Sequence, residues 1–412
     1  MSTTVMKFGG TSVGSVDKIR HVAQRIVQLI EAGDRVVTVV SAMGKTTDNL
    51  VEMADQITQQ PDKREMDMLL STGEQQTIAL LSMCLRDMGY SAISLTGWQA
   101  GITTEAMHGN ARIEDIRADA IEHHLDEGKV VIVAGFQGMT SDGQITTLGR
   151  GGSDTTAVAV AAAIQADRCD ICTDVPGVFT TDPRYVDQAT KLDEITYDEM
   201  LELANLGAGV LHPRSVENAK TFQVPLMVRS SFSEEEGTMI KERIMMEKAP
   251  SVRGLAFQKD VTKLTIIGLP AGYTALSEVF TTLANQGIDV DIIIQNAGDE
   301  AKGALSFTIN TEELEIAFAA LENKVDAIQY QKIDVESGLV KVSIVGSGMV
   351  SNPGVAAQMF SALSENQVPV KMVSTSDIKI STVVDAQYLQ ESLNILHETF
   401  QLSENTAEAV IK

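Results

Sequence analysis

Four glycine-bearing turns carry the residue types that hold a phosphate or a carboxylate. Lys7-FGGTS ends a short strand and leads into a helix. Its glycines let the backbone approach an anion, its amides and the following helix N-terminus point at phosphate, and Lys7 adds a fixed charge. The spacing is not GxxxxGK[ST], so this is no Walker A loop; a tight turn with a surface lysine would look the same. Arg150-GGSDTT opens a second helix. Arg150 can grip a carboxylate through two nitrogens, and Ser153 or Asp154 is expected to cap the helix. Capping alone does not account for a guanidinium beside two glycines. Gly135-FQG and Thr173-DVPGVFTTDPR are further turns at strand ends, the edge where ligands gather in open α/β sheets.

Other groups are less telling. Ser41-AMGKTTD follows a strand, and Ser71-TGE puts Glu74 in an apolar helical region with Leu69, Leu70, Ile78 and Leu80. A carboxylate there is either solvated on the polar face or paired with a cationic ligand group; the pattern alone favours the first. Cys169 and Cys172 have CxxC spacing without a second ligand pair, and read as core strand positions. His21, His108, His123, His124, His212 and His397 are scattered, with no Ser-His-Asp set. His212, in Leu-His-Pro, reads as a loop or cap residue.

These residues need elements to position them. Val5–Phe8, Val36–Val40, Ala92–Leu95, Val130–Ala134, Ile171–Thr173 and Leu226–Val228 read as strands. Between them, Val16–Ala32, Glu65–Met88, Asp154–Ala166 and Asp198–Leu206 read as helices. The alternation implies a largely parallel sheet with helices on both faces. Ser233–Pro250 is charged and strand-poor, and reads as a linker helix or connector.

An internal repeat follows. Lys263-LTIIG matches Lys341-VSIVG, and Val290-DIIIQN matches Val370-KMVSTS. Each copy reads βαββα. The first gains a fourth strand at Ala327–Ile333, and Val252–Phe257 is a spare strand expected to cross over and complete the second sheet, interlocking the repeats. The expected division is a catalytic domain over residues 1–232, a linker over 233–250, and small domains over 251–335 and 336–412.

Composition narrows the function. The net charge is −24, which argues against nucleic acid and against anionic membrane surfaces. The longest apolar run, Ala157–Ile164, is too short to span a bilayer, and MSTTVMKFGG lacks a signal-peptide core. Three cysteines make no disulfide framework, so a reducing cytoplasm fits.

Lys7-FGGTS, Ser41-AMGKTTD, Ser71-TGE, Gly135-FQG, Thr147-LGRGGSDTT, Thr173-DVPGVFTTDPR and Leu211-HP together resemble the aspartokinase family, in its monofunctional form without a homoserine dehydrogenase half. The likeness covers the whole chain. It implies an amino-acid-kinase α/β/α sandwich with a mainly parallel sheet, followed by two ferredoxin-like βαββαβ (ACT) domains. The implied reaction moves the γ-phosphoryl of ATP, with Mg²⁺, onto the side-chain carboxylate of L-aspartate. This is the first step towards lysine, threonine, methionine and diaminopimelate. By the resemblance, Lys7, Phe8, Gly9 and Gly10 cradle the phosphates and Lys7 stabilises the transferring group, with Asp154 orienting Lys7 or the metal. Thr47 and Glu74 bind aspartate, Glu74 at its α-ammonium, which reverses the solvated reading. Arg150 holds the α-carboxylate with Ser153 nearby, and Ser41 lies close to the reacting carboxylate. Thr173, Asp174, Phe179, Arg184, Gly209 and Val210 match the nucleotide-binding stretches. Many relatives carry Lys where this chain has Gly209, so a second cation is missing at that position.

The tail implies feedback by lysine, threonine or both, and assembly either as a homo-oligomer through the ACT domains or as a heterotetramer with a small subunit started at Met245 or Met246. A cationic effector needs carboxylates; Asp289 and Asp291 can supply them, with Thr274, Gln295, Asn296, Ser351, Asn352 and Ser376 on the rim. Both aspartates flanking a strand and facing water is the commoner fate. Two other readings remain: a same-fold kinase acting on glutamate or a nucleoside monophosphate, and an amino-acid sensor with an inactive kinase domain.

Overall fold

The protein was analysed as a computed structural model that describes residues 1–242, 250–270, 273–296 and 302–403. Met245 and Met246 lie outside the described residues. The chain forms two compact units. The first comprises Met1–Phe179, Lys191–Asn205 and Gly209–Glu247; the second comprises Thr180–Thr190, Leu206–Ala208 and Lys248–Lys412.

The first unit is built on an eight-stranded sheet. Thr3–Phe8 lies at its centre, paired in parallel with Arg35–Val40 on one side and Arg168–Thr173 on the other. Val130–Ala134 and Ala92–Leu95 extend the first side, and Leu226–Ser230 the second. The register aligns Phe8 with Val40 and Cys172, and Val40 with Ala134. Four carboxyl ends therefore finish along one edge. The chain leaves the central strand to one side and returns on the other, which opens a crevice at that edge.

Helices cover the sheet for local reasons. Ser15 caps Val16–Glu31 by accepting from the Lys18 amide, and the 3.6-residue stripe Ile19, Val22, Ala23, Ile26 and Val27 is buried. That stripe packs with Met6, Phe8, Val40, Leu81 and Leu85 in an aliphatic core.

Three expectations change. The single helix over Glu65–Met88 is two, Lys63–Leu70 and Thr72–Asp87. At the break the Ser71 carbonyl accepts from the Gln137 amide at 2.9 Å, a partner 66 residues away. The stretch read as a strand-poor connector contains the strand Thr238–Lys241, antiparallel to Leu226–Val228 and parallel to Glu194–Thr196. Its alternating burial, Thr238 and Ile240 inward, is the period-2 signal that the surrounding charge hides. A second sheet of four short strands, Ile102–Thr104, Ile113–Ile116, Gln137–Met139 and Ile145–Thr147, was not anticipated.

In the second unit the two repeats share one six-stranded sheet. Gly254–Pro270 is one long strand: Gly254–Gln258 pairs with Lys341–Val345, and Leu264–Ile267 pairs with Lys332–Val335 of the same long partner strand. Asp260, at positive φ (57°), lies where the register shifts. Val252 and Leu255 thus join the core of the second repeat, with Val342, Ile344 and Leu393. The strand read at Ala327–Ile333 starts at Lys332; Val325–Ile328 is a helical turn. No helix among the described residues is long and apolar enough to cross a membrane.

Candidate active site

At the carboxyl edge of the first unit's sheet lies a cavity of ≈ 530 Å³, with Lys7, Ser41, Thr47, Glu74, Arg150, Ser153 and Asp154 in its wall. Seven residues singled out from separate stretches of sequence therefore line one space.

One wall is the phosphate-type cradle. Lys7 Nζ lies 2.6 Å from Asp154 Oδ1, both side chains mostly buried. Lys7 leaves the central strand and Asp154 stands in the first turn of Gly152–Ala163. The turn after the strand is held tightly: a Cβ on Gly10 would sit 2.9 Å from the Ala42 carbonyl oxygen. Phe8 is buried in the core, so only its backbone reaches the rim. Neither Ser153 nor Asp154 caps its helix; the cap is Gly151 at φ 68°, and no side chain bonds there. The reason is steric. The His212 ring occupies the space a Cβ on Gly151 would take, 2.2 Å away, so glycine in the left-handed region ends the turn. An uncapped N-terminus at the cavity wall suits an anion.

Glu74 also lines the cavity, from the first turn of Thr72–Asp87, and is only 3% exposed. The Ala42 amide donates to Oε1 at 3.1 Å, and Oε2 has no partner among the described residues. Burial pushes its carboxyl up to about 7, against the backbone amides, which pull it down. The solvated reading from pattern fails here. Glu74 lies among the buried residues of Thr72–Asp87 with Gly73, Thr77 and Ile78, and Gly73 seats the helix against Ala42, where a Cβ would fall 2.8 Å from the Ala42 methyl. A buried carboxylate oxygen with no donor among the described residues asks for a cation from a ligand.

Arg150 is exposed at the end of Thr147–Gly149, with no hydrogen bond or ion pair among the described residues. Thr47 begins Thr46–Asp55, and Ser41 follows Val40, its amide donating to the Phe8 carbonyl at 3.1 Å. His212 is an N-cap, as its Leu-His-Pro setting implied: Nδ1 accepts from the Arg214 amide. Burial and the neighbouring Arg214 lower its pKa, so the ring is neutral at pH 7.

Other expected nucleotide residues do not line this cavity. Thr173 ends Arg168–Thr173, its hydroxyl donating to Asp174 at 3.1 Å. Phe179 forms an isolated bridge to Lys191, and Gly209 is exposed at φ 60° beside Val210. Arg184 belongs to the second unit, where it pairs with Asp182 at 2.6 Å. Sequence reasoning missed Ala42, Gly44, Phe136 and Gly149 in the wall. It also missed Asp67, fully buried, which accepts from the Gly109 amide (3.1 Å) and lies 2.7 Å from His108 Nδ1, bracing the loop behind Gly149.

In the second unit, Ser376 follows one edge strand, Met372–Thr375, whereas Gln295 and Asn296 end the other edge strand, Ile293–Asn296. One chain does not bring them together. Asp291 pairs with Lys341, which leaves Asp289 as the exposed carboxylate without a charged partner among the described residues. Thr274 is exposed near the start of Tyr273–Ala284, and Asn352 donates to the Gly348 carbonyl at 2.8 Å, next to Ser351.

Residues 2–230 match the Amino acid kinase family model, and residues 342–400 match an ACT domain model. The chain is 60% identical to Aspartokinase 2 of Bacillus subtilis (strain 168) over 405 residues, 98% of this chain and 99% of the relative. The crystal structure of E. coli aspartokinase III in complex with aspartate and ADP (R-state) aligns with a TM-score of 0.79 at 28% identity, covering 96% of this chain and 99% of that one. The same enzyme in complex with lysine and aspartate (T-state) aligns with a TM-score of 0.77, also at 28% identity, covering 96% of this chain and 99% of that one.

Proposed function

Starting from the fact that this chain belongs to the aspartokinases of the amino acid kinase family, and so phosphorylates aspartate, we propose how its own residues divide that work. The observation that carries the reading is that one cavity is lined by both the Lys7–Asp154 pair and Glu74, whose carboxylate keeps one oxygen unpartnered among the described residues.

A carboxylate nucleophile has a pKa of ~4 and is ionised at pH 7, so no general base is required. The obstacle is repulsion between that carboxylate and the phosphate tail. Glu74 takes the substrate's α-ammonium and Arg150 its α-carboxylate, with Thr47 and Ser153 alongside; this turns the side-chain carboxylate towards Ser41 and Lys7. Lys7, the Gly9–Gly10 turn and the uncapped end of Gly152–Ala163 hold the phosphates, and Lys7 neutralises charge on the transferring group. The close-packed Gly10 and the uncapped N-terminus fit a nucleotide tail. Mg²⁺, when bound, screens phosphate charge, and Asp154 is the carboxylate placed to hold it or to orient Lys7. Thr173, Asp174, Phe179, Gly209 and Val210 serve the rest of the nucleotide.

The product is 4-phospho-L-aspartate, the entry to lysine, threonine, methionine and diaminopimelate synthesis. Lysine, present in the T-state complex of the E. coli enzyme, is the effector this reading favours, threonine the alternative. It binds through Asp289 where exposed sheet edges of two chains meet, since one chain keeps its rim residues apart. Inhibition requires the effector to prefer one of two conformations.

The test is ADP release from ATP with L-aspartate, L-glutamate or UMP as acceptor, with and without lysine and threonine. Turnover with aspartate alone, suppressed by lysine, is expected. Turnover with glutamate or UMP instead, or tight lysine binding without turnover, overturns the reading.

A further inference from the structure

Arg150 has a job to do in the cavity, yet nothing among the described residues holds its side chain. Its aim depends on the backbone that carries it, which is tied by the Leu148 amide to the Phe136 carbonyl (2.8 Å) and by the Gly152 amide to the Gly149 carbonyl (3.0 Å), and is held by side chains from the Arg214 helix end. Arg214, in the first turn of Pro213–Phe222, donates from Nη1 to the Leu148 carbonyl at 2.8 Å and to Asn110 Oδ1 at 3.1 Å. Its Nη2 donates to the Ala111 carbonyl at 3.1 Å. Asn110 Oδ1 is also the atom pressed against Gly149, 2.7 Å from where a Cβ would lie, at φ 72°. On the far side of Arg150, the His212 ring fills the Cβ space of Gly151. Arg214 thus binds Leu148 directly and Gly149 through Asn110, His212 packs on Gly151, and the Arg150 side chain between them has no hydrogen bond or ion pair among the described residues.

Arg214 makes these bonds to neutral oxygens, and no carboxylate pairs with it among the described residues. Two nitrogens of one planar fork reach these three acceptors; an ammonium also has three donors, but all on a single nitrogen that cannot stand at both positions. Half-burying such a charge costs stability, and the nearby Glu105 and Glu217, which favour the charge, stand outside ion-pair distance; the bonds it does make go to the loop it organises.

We propose that Arg214 is a positioning residue for aspartate, fixing the turn from which Arg150 reaches the cavity. The inference rests on the reading that Arg150 binds the substrate's α-carboxylate. Arg214 itself touches no substrate. It sets where the binding guanidinium arrives, and misplacement at that range weakens one substrate without disturbing the other.

The experiment is steady-state kinetics of the full-length enzyme, with both substrates varied, for Arg150→Ala, Arg214→Ala, Arg214→Lys, Asn110→Ala and the Arg150→Ala/Arg214→Ala double variant. Arg214→Ala is expected to raise KM for aspartate about tenfold while KM for ATP stays within about twofold. Arg214→Lys restores little, because one ammonium cannot bridge the three oxygens. The double variant is expected to be no worse than Arg150→Ala alone, because the two residues act through one contact. If Arg214→Ala does not fold, Arg214→Lys and Asn110→Ala report on the same turn. Unchanged KM for aspartate, a parallel rise in both KM values, or additive losses in the double variant overturn the proposal. If Arg150→Ala itself leaves KM for aspartate unchanged, the underlying assignment of Arg150 fails instead.

Discussion

Lys7 and Asp154 meet at 2.6 Å, one from the end of the central strand and the other from the first turn of the helix beside it. The pair brings a cation and an anion to the point where a phosphate tail would lie. Lys7 is thereby held in place before any nucleotide arrives, with no reorganisation left for the reaction step.

Lys7→Met should therefore lower kcat by about 10²–10³-fold, the usual cost of deleting one pre-placed charge from a charge-developing site. KM for aspartate should change little, because Glu74 and Arg150 hold that substrate. Asp154→Asn should lower kcat by a smaller factor, since Lys7 keeps its charge and loses only its anchor. Steady-state assays of ADP release distinguish these patterns; a Lys7→Met enzyme with normal kcat would remove Lys7 from the chemistry.

Gly10→Ala tests the cradle. Its new methyl meets backbone oxygens, Ala42 O at 2.9 Å and Gly44 O at 3.3 Å, and a carbonyl cannot rotate away as a side chain can. Overpacking of this kind costs about 1–3 kcal/mol, enough to displace the turn. Weaker nucleotide binding is expected by titration calorimetry with ADP, with aspartate affinity less affected.

Much of this was legible in the sequence, and the losses have identifiable causes. Val36–Val40 and Val130–Ala134 announced themselves because a strand buried on both faces must be apolar throughout. Ile102–Thr104 and Gln137–Met139 are three residues each, too short to show a period. At the break the Ser71 carbonyl is taken by Gln137, far away in sequence, a partner no local pattern shows. Glu74 is buried where Gly73 brings its helix close to Ala42, a tertiary approach that the helical pattern does not show. Asp67 was hidden for a similar reason: a charged residue on an amphipathic helix reads as solvated until its buried partners are placed around it.

His397 offers a test of the second unit. It is 2% exposed, and its Nε2 lies 3.0 Å from Thr180 Oγ1. Burial lowers its pKa below 6.5. Between that lowered value and 6.5 the unfolded chain binds more protons than the folded one, so stability falls as the pH drops below 6.5. His397→Gln, which has no charge to acquire, should show a smaller fall in melting temperature between pH 7.5 and pH 5.5. An identical fall in both proteins would mean that other groups set the acid sensitivity.

Glu74 gives the most specific prediction, because affinity and stability should move in opposite directions. Its folded pKa of about 7 lies above the ordinary glutamate value of 4.5. Across that window the folded, ligand-free protein holds a proton that the unfolded chain has released, so this group's contribution to stability declines as the pH rises from 4.5 to about 7. Aspartate's ammonium requires the ionised form, so below pH 7 the proton must leave before the substrate binds. KM for aspartate should climb as the pH falls below 7, by up to about tenfold per unit, while KM for ATP does not follow. Glu74→Gln should flatten that slope, hold KM high at every pH, and raise the melting temperature of the ligand-free enzyme at pH 8, where the wild-type carboxylate is buried and charged. A variant that keeps the wild-type pH slope would show that the proton belongs to another group.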